Sequence, residues 1–182
     1  MPHTWSSTRP TLTVIAGFGI AFFLVLRVAS NAQSRSTLPL AGVQVEVLRA
    51  VDGDTLLIEG GYRIRLIGVN APEIKHNDKP ADPFGNEAHR IAKSLTVGKF
   101  VVLELDRERW DTYRRTLAYV FLPDYSMLNE RIISHGLSPA IVSFPFRNDR
   151  KRRFVLAEAG ARKQQRNIWS NGFGYHDQHA AP

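Results

Sequence analysis

Residues 43–69 read VQVEVLRAVDGDTLLIEGGYRIRLIGV, and this stretch decides the fold. Three short β-branched or alternating runs, 43–48, 55–58 and 62–69, are broken by Asp52-Gly53-Asp54 and Glu59-Gly60-Gly61, so the stretch predicts a three-stranded meander. In the third run a period of two puts Arg63 and Arg65 on one face and the aliphatic side chains on the other, core-facing one.

Downstream, residues 84–96 place Ala88, Ile91, Ala92 and Leu95 on one face of a predicted helix, with Val97-Gly98 as its stop. Two further strands follow, 99–105 and 116–122, separated by the charged loop 106–115. After the Pro123-Asp124 turn a second helix is predicted over 126–135, with Gly136 as its left-handed cap. A third starts near Asp149, a good capping residue, and turns Phe154, Ala157 and Ala161 inward. Three strands, a helix, two strands and two helices describe an α+β chain. That order suits a five-stranded Greek-key barrel of the OB type with three helices, a fold whose face and loops commonly hold oligonucleotides or sugars.

The chain has 182 residues, enough for one domain plus terminal extensions. It contains no cysteine, which excludes disulfide scaffolds, thiolate zinc sites and thiol nucleophiles. Residues 11–26, TLTVIAGFGIAFFLVL, carry no charge and are flanked by Arg9 and Arg27, the pattern of an export or anchoring signal. Two readings stand: a cleaved signal peptide over 1–32, ending at Ser30-Asn31-Ala32, or a membrane anchor over 11–29. Either sends the rest out of the cytoplasm, to the periplasm or beyond, and membrane contact is expected only through an uncleaved anchor. Residues 33–42 read as a linker, 43–170 as the folded domain and 171–182 as a polar tail, whose His176 and His179 belong to a solvated end. Residues 33–182 keep 22 Lys and Arg against 17 Asp and Glu, so the basic bias belongs to the domain and favours a polyanionic partner.

The groups able to do chemistry cluster around the first turn and the exit of the third strand. Asp52 and Asp54 flank a glycine, which either aims carboxylates at a hard cation or makes a tight turn. Arg65 reads as a phosphate fork or as an ordinary solvated strand residue. Pro72 fixes the backbone just before Glu73, and Arg115, at the start of the fifth strand, supplies a second guanidinium. A carboxylate, two arginines and an acidic turn are the parts needed to hydrolyse a phosphodiester. Arg147, Arg150, Lys151, Arg152 and Arg153 grip a nucleic-acid backbone or form a solvated helix face. Trp110 and Trp169 read as packing residues, with base stacking open to Trp110 because it borders the arginine loop.

Taken in register, these marks resemble the staphylococcal (micrococcal) nuclease, or thermonuclease, family. They are Val51-Asp52-Gly53-Asp54-Thr55, Arg65 through Pro72-Glu73, Lys75-His76, Gly85-Asn86-Glu87-Ala88, residues 111–119, Met127-Leu128-Asn129-Glu130 and Asn167-Ile168-Trp169-Ser170. The resemblance implies an OB barrel with three helices, and calcium-dependent cleavage of DNA and RNA by a monomer. It makes Glu73 similar to the general base, Arg65 and Arg115 to the phosphate-binding arginines, and Asp54, Asn70 and Ala71 to the calcium ligands, Ala71 through its carbonyl. It sets Tyr113, Arg114 and Phe144 against the substrate. Asn70 stands where the family usually has a second calcium aspartate, so a weakened metal site is expected. Arg114 replaces a glycine beside the second arginine, where it either crowds the site or adds another phosphate contact. The rival expectation is a non-catalytic member that binds a polyanion, as in exopolysaccharide (succinoglycan) biosynthesis.

Overall fold

The computed structural model describes residues 42–76 and 79–170. The signal or anchor, most of the linker and the polar tail lie outside the described residues.

Five strands form a closed barrel in the order β1-β2-β3-β5-β4. They are β1 (Val43–Ala50), β2 (Thr55–Ile58), β3 (Arg63–Leu66), β4 (Phe100–Glu104) and β5 (Thr116–Phe121). The first three pair antiparallel as the expected meander. A register irregularity between Val47 and Arg49 bends β1, so that its first half pairs with β4 and its second half with β2. Closure comes from β3 and β5, which run parallel with Arg65 opposite Leu117. Alternation fills the interior: Val45, Val47, Leu56, Ile58, Ile64, Leu66, Val101, Leu103, Ala118 and Val120 are all buried.

Helix α1 (Gly85–Thr96) buries Ala88 and Ala92 as expected, while Ile91 and Leu95 are only half buried. Helix α2 (Leu128–Ser134) is two residues late relative to expectation, because Ser126 is engaged in the preceding turn, its hydroxyl donating to Asp124 Oδ1 at 2.6 Å. Gly136 sits at φ 66, the left-handed conformation that a helix stop needs. Helix α3 (Asn148–Lys163) packs on Phe154 and Ala161, with Ala157 half buried. Asp149 does not cap it. The cap position is Arg147, and Asp149 sits in the first turn, paired with the Arg147 guanidinium at 3.2 Å.

Two polar side chains hold the barrel to its helices. Asn129, fully buried on α2, donates through Nδ2 to the carbonyls of Ile67 (2.9 Å) and Ala118 (3.2 Å). Its Oδ1 accepts the Val120 N–H at 3.0 Å, so one amide seals the β3–β5 seam where the parallel ladder ends. On the other side the buried Asp106 accepts from the Tyr119 hydroxyl (2.6 Å) and from the main-chain N–H groups of Arg107 (2.7 Å) and Arg147 (3.1 Å). Burial raises the Asp106 pKa, but these three donors outweigh it and leave the carboxyl below its ordinary range.

Candidate active site

The β1–β2 turn is drawn against the exit of β3. Asp52 Oδ1 accepts the Asp54 N–H at 2.9 Å, a local turn bond. A Cβ on Gly53 would lie 2.6 Å from the Cβ atoms of both Ala71 and Ala88, so only glycine lets the turn approach this closely. That approach brings the Ala71 N–H to Asp54 Oδ2 at 2.9 Å.

Arg65 is folded into the same place. Its Nη1 donates to the carbonyls of Val69 (2.6 Å) and Leu66 (3.1 Å), and its Nη2 meets Asn70 Oδ1 and Asp54 Oδ2, both at 3.1 Å. The chain leaving β3 therefore curls around the guanidinium, and the Asn70 N–H is fixed from the other side by Ser138 Oγ at 2.8 Å. Asp54 is 4% exposed. Burial, aided by the neighbouring Asp52 charge, pushes its carboxyl up to about 7 against the pull of Arg65 and the Ala71 N–H.

Glu73 is exposed, yet its backbone is clamped. Its N–H donates to Asp82 Oδ2 (3.1 Å), and its carbonyl accepts the Asp82 N–H (2.9 Å). A Cβ on Gly85 would fall 2.1 Å from the Glu73 carbonyl oxygen, so α1 begins directly against the residue. Partial burial raises the Glu73 pKa, and Asp52 and Asp82 add to this while His76 and Arg65 oppose it. A carboxyl raised toward neutrality is a stronger general base than an ordinary one.

Arg115 opens β5. Its Nε donates to Asp111 Oδ2 at 2.5 Å, and its guanidinium stands 5.3 Å from the Tyr113 ring centre. Among the described residues its terminal NH₂ groups make no hydrogen bond or ion pair. Arg65, Asn70, Tyr113, Arg115 and Phe144 all line one cavity of about 300 Å³, whose floor is Leu66, Ile67 and Leu117. Asp54, Ala71, Glu73 and Arg114 are not among its walls; Glu73 is tied to the group through the fields of Arg65 and Asp52. Arg114 points outward at φ 59, a left-handed conformation suited to glycine. The expected residues thus form two contacting sets, Asp54–Arg65–Asn70–Ala71 and Tyr113–Arg115, that share the cavity through Arg65, Asn70, Tyr113 and Arg115. Sequence reasoning missed the holders Asp82 and Ser138, for which spacing carries no signal. It also passed over the pairing of Asp111 with Arg115, which the four-residue spacing does announce.

Among the described residues no three His, Cys, Asp or Glu side chains converge as a metal cage. The convergent donors are oxygens: the Asp54 carboxylate and the Asn70 amide, with the Ala71 main chain beside them. All-oxygen donors suit a hard cation, and Arg65 Nη2 is the cationic group that meets Asp54 Oδ2 and Asn70 Oδ1 here. The residues fit calcium, with one formal charge fewer than two aspartates would supply.

Fold and site together define a small OB-type barrel that carries paired arginines and carboxylates beside a nucleotide-sized cavity. Comparison with known proteins agrees. The family described as staphylococcal nuclease homologue matches residues 63–171. The chain is 39% identical to the thermonuclease of Staphylococcus intermedius over 139 residues, covering 74% of this chain and 81% of that protein. To the thermonuclease of Staphylococcus hyicus it is 36% identical over 129 residues, covering 69% and 75%. To Endonuclease YncB of Bacillus subtilis (strain 168) it is 34% identical over 139 residues, covering 73% and 64%. The chain belongs to the staphylococcal nuclease family.

Proposed function

We propose that the protein is an exported, calcium-dependent nuclease that hydrolyses phosphodiester bonds of DNA and RNA. The observation that carries the reading is that Arg65 and Arg115 line one cavity while Glu73 lies within the field of Arg65. Asp54, Asn70 and Ala71 would hold the calcium ion, which when bound neutralises phosphate charge. The NH₂ groups of Arg115 take the phosphate oxygens, and Arg65, which lines the same cavity, adds its positive charge. Glu73 takes the proton from the attacking water as its oxygen bonds to phosphorus and the leaving oxygen departs. Tyr113 and Phe144 supply faces for a base. Export rests on the apolar segment 11–26.

The test is cleavage of single-stranded DNA and RNA by the full chain, in calcium and in chelator. Glu73→Gln keeps the size and removes the base, so the rate should fall on the order of 10²–10⁴. An unchanged rate refutes the assignment. A second reading, a polyanion-binding member without catalysis, is favoured by Asn70, whose uncharged side-chain oxygen already accepts from Arg65. It predicts binding without cleavage at any calcium concentration.

A further inference from the structure

The basic clusters of the molecule differ in how they are used. In the run opening α3, Arg147 and Arg150 pair with Glu104 at 2.6 and 3.2 Å, and Arg153 pairs with Glu130 at 2.5 Å. Lys151 stands 5.0 Å from the Phe146 ring centre. These charges dock the helix. In the loop between β4 and β5 the opposite holds: among the described residues the side chains of Arg107, Arg109 and Arg114 make no ion pair and no hydrogen bond. Of the loop's three acids, Asp106 is buried against the Tyr119 hydroxyl and Asp111 is spent on Arg115, which leaves Glu108 facing three guanidinium groups without an ion pair among the described residues.

Between those arginines stand two exposed aromatics, Trp110 (51% exposed) and Tyr113 (80%). The loop is also a rigid platform. Asp111 N–H donates to the Arg115 carbonyl (3.1 Å), Leu117 N–H to the Arg109 carbonyl (2.9 Å) and Arg114 N–H to the Asp111 carbonyl (3.0 Å). Trp110 and Thr116 form an antiparallel bridge. The loop is continuous with the cavity, since Glu108 and residues 111–113 are part of its wall.

We infer that the 107–114 loop is a binding surface for a single-stranded nucleic acid, holding the nucleotides beyond the cavity by stacking on Trp110 and pairing phosphates with Arg107, Arg109 and Arg114. Free guanidinium groups interleaved with an open aromatic fit a strand whose bases are splayed; a duplex has its base faces already stacked and offers only phosphates. This inference rests on the nuclease reading for its substrate class, but its test does not require turnover.

The experiment measures binding of a labelled 16-nucleotide single strand, and of the matching duplex, to the full chain in chelator by fluorescence anisotropy. Trp110→Ala should weaken single-strand binding roughly 5- to 150-fold, the range of one aromatic stack, and leave duplex binding nearly unchanged. Trp110→Phe should recover most of the loss. Arg107→Ala should lower the slope of log affinity against log salt by about 0.7, whereas Arg152→Ala, an exposed arginine on α3, should not. Equal losses on single strand and duplex, no effect of Trp110→Ala, or an Arg152→Ala effect matching that of Arg107→Ala would overturn the inference, leaving a surface that reads charge alone. Trp110-dependent binding without cleavage in calcium would support it and count against the nuclease reading instead.

Discussion

At the scale of single residues the two arginines of the site are not equivalent. Arg65 meets four internal acceptors and Arg115 is held mainly through Nε, with its terminal groups free. Both Arg→Lys changes lose two-pronged hydrogen bonding and should slow cleavage strongly. Arg65→Lys should also lower the urea midpoint by the equivalent of about 1–3 kcal/mol, because it orphans buried acceptors; Arg115→Lys should leave it nearly unchanged. Equal stability of the two variants would show that the curl around Arg65 holds itself. Asn70→Asp restores the missing charge, so it should lower the calcium concentration for half-maximal activity while keeping the need for Glu73. A wild-type protein already saturated at micromolar calcium, and indifferent to Asn70→Asp, would end the weakened-site argument. Glu73 and Arg65 stand out in the sequence because proline and strand alternation fix their directions, whereas Arg115 stands out only as a second guanidinium, and the roles proposed for all three rest on the resemblance. The internal bonds of Arg65 are not legible in the sequence, since they exist only once residues 66–70 curl back on it.

Among elements, the start of α1 does the positioning. Gly85 was legible as a family mark, but its physical reason, contact with the Glu73 carbonyl, appears only in three dimensions. Gly85→Ala should push Glu73 away from the cavity, reducing kcat by tenfold or more and costing about 1–3 kcal/mol from overpacking. Unaltered kcat in a folded variant would mean that the base is placed by Pro72 and Asp82 alone. The same limit explains the basic run on α3. Composition shows five basic residues in seven, but not that Glu104 and Glu130 lie across from three of them. It also explains Asp149, which has the chemistry of a cap but stands two residues past the cap position.

For the whole molecule, the strand order and the helix after the third strand were readable because each run is short, alternating and punctuated by glycine, whereas barrel closure depends on contacts remote in sequence. One buried group makes that closure sensitive to acid. Asp106, below its ordinary range in the fold, binds a proton less readily there than when unfolded. Its contribution is therefore complete above about pH 4 and disappears as pH falls through its folded value. Asp106→Asn should cost about 1–3 kcal/mol at pH 7 and make the remaining stability less dependent on pH below about 4. A variant with an unchanged acid-unfolding profile would assign that dependence to other carboxylates. The amide of Asn129 carries a different consequence, one of timing. Strands β3 and β5 are about fifty residues apart along the chain, and the Asn129 side chain of α2 bridges their ends. A polypeptide emerging from a ribosome lacks this bridge until residue 129 has been made, and until then the seam between the halves of the site has only its own ladder.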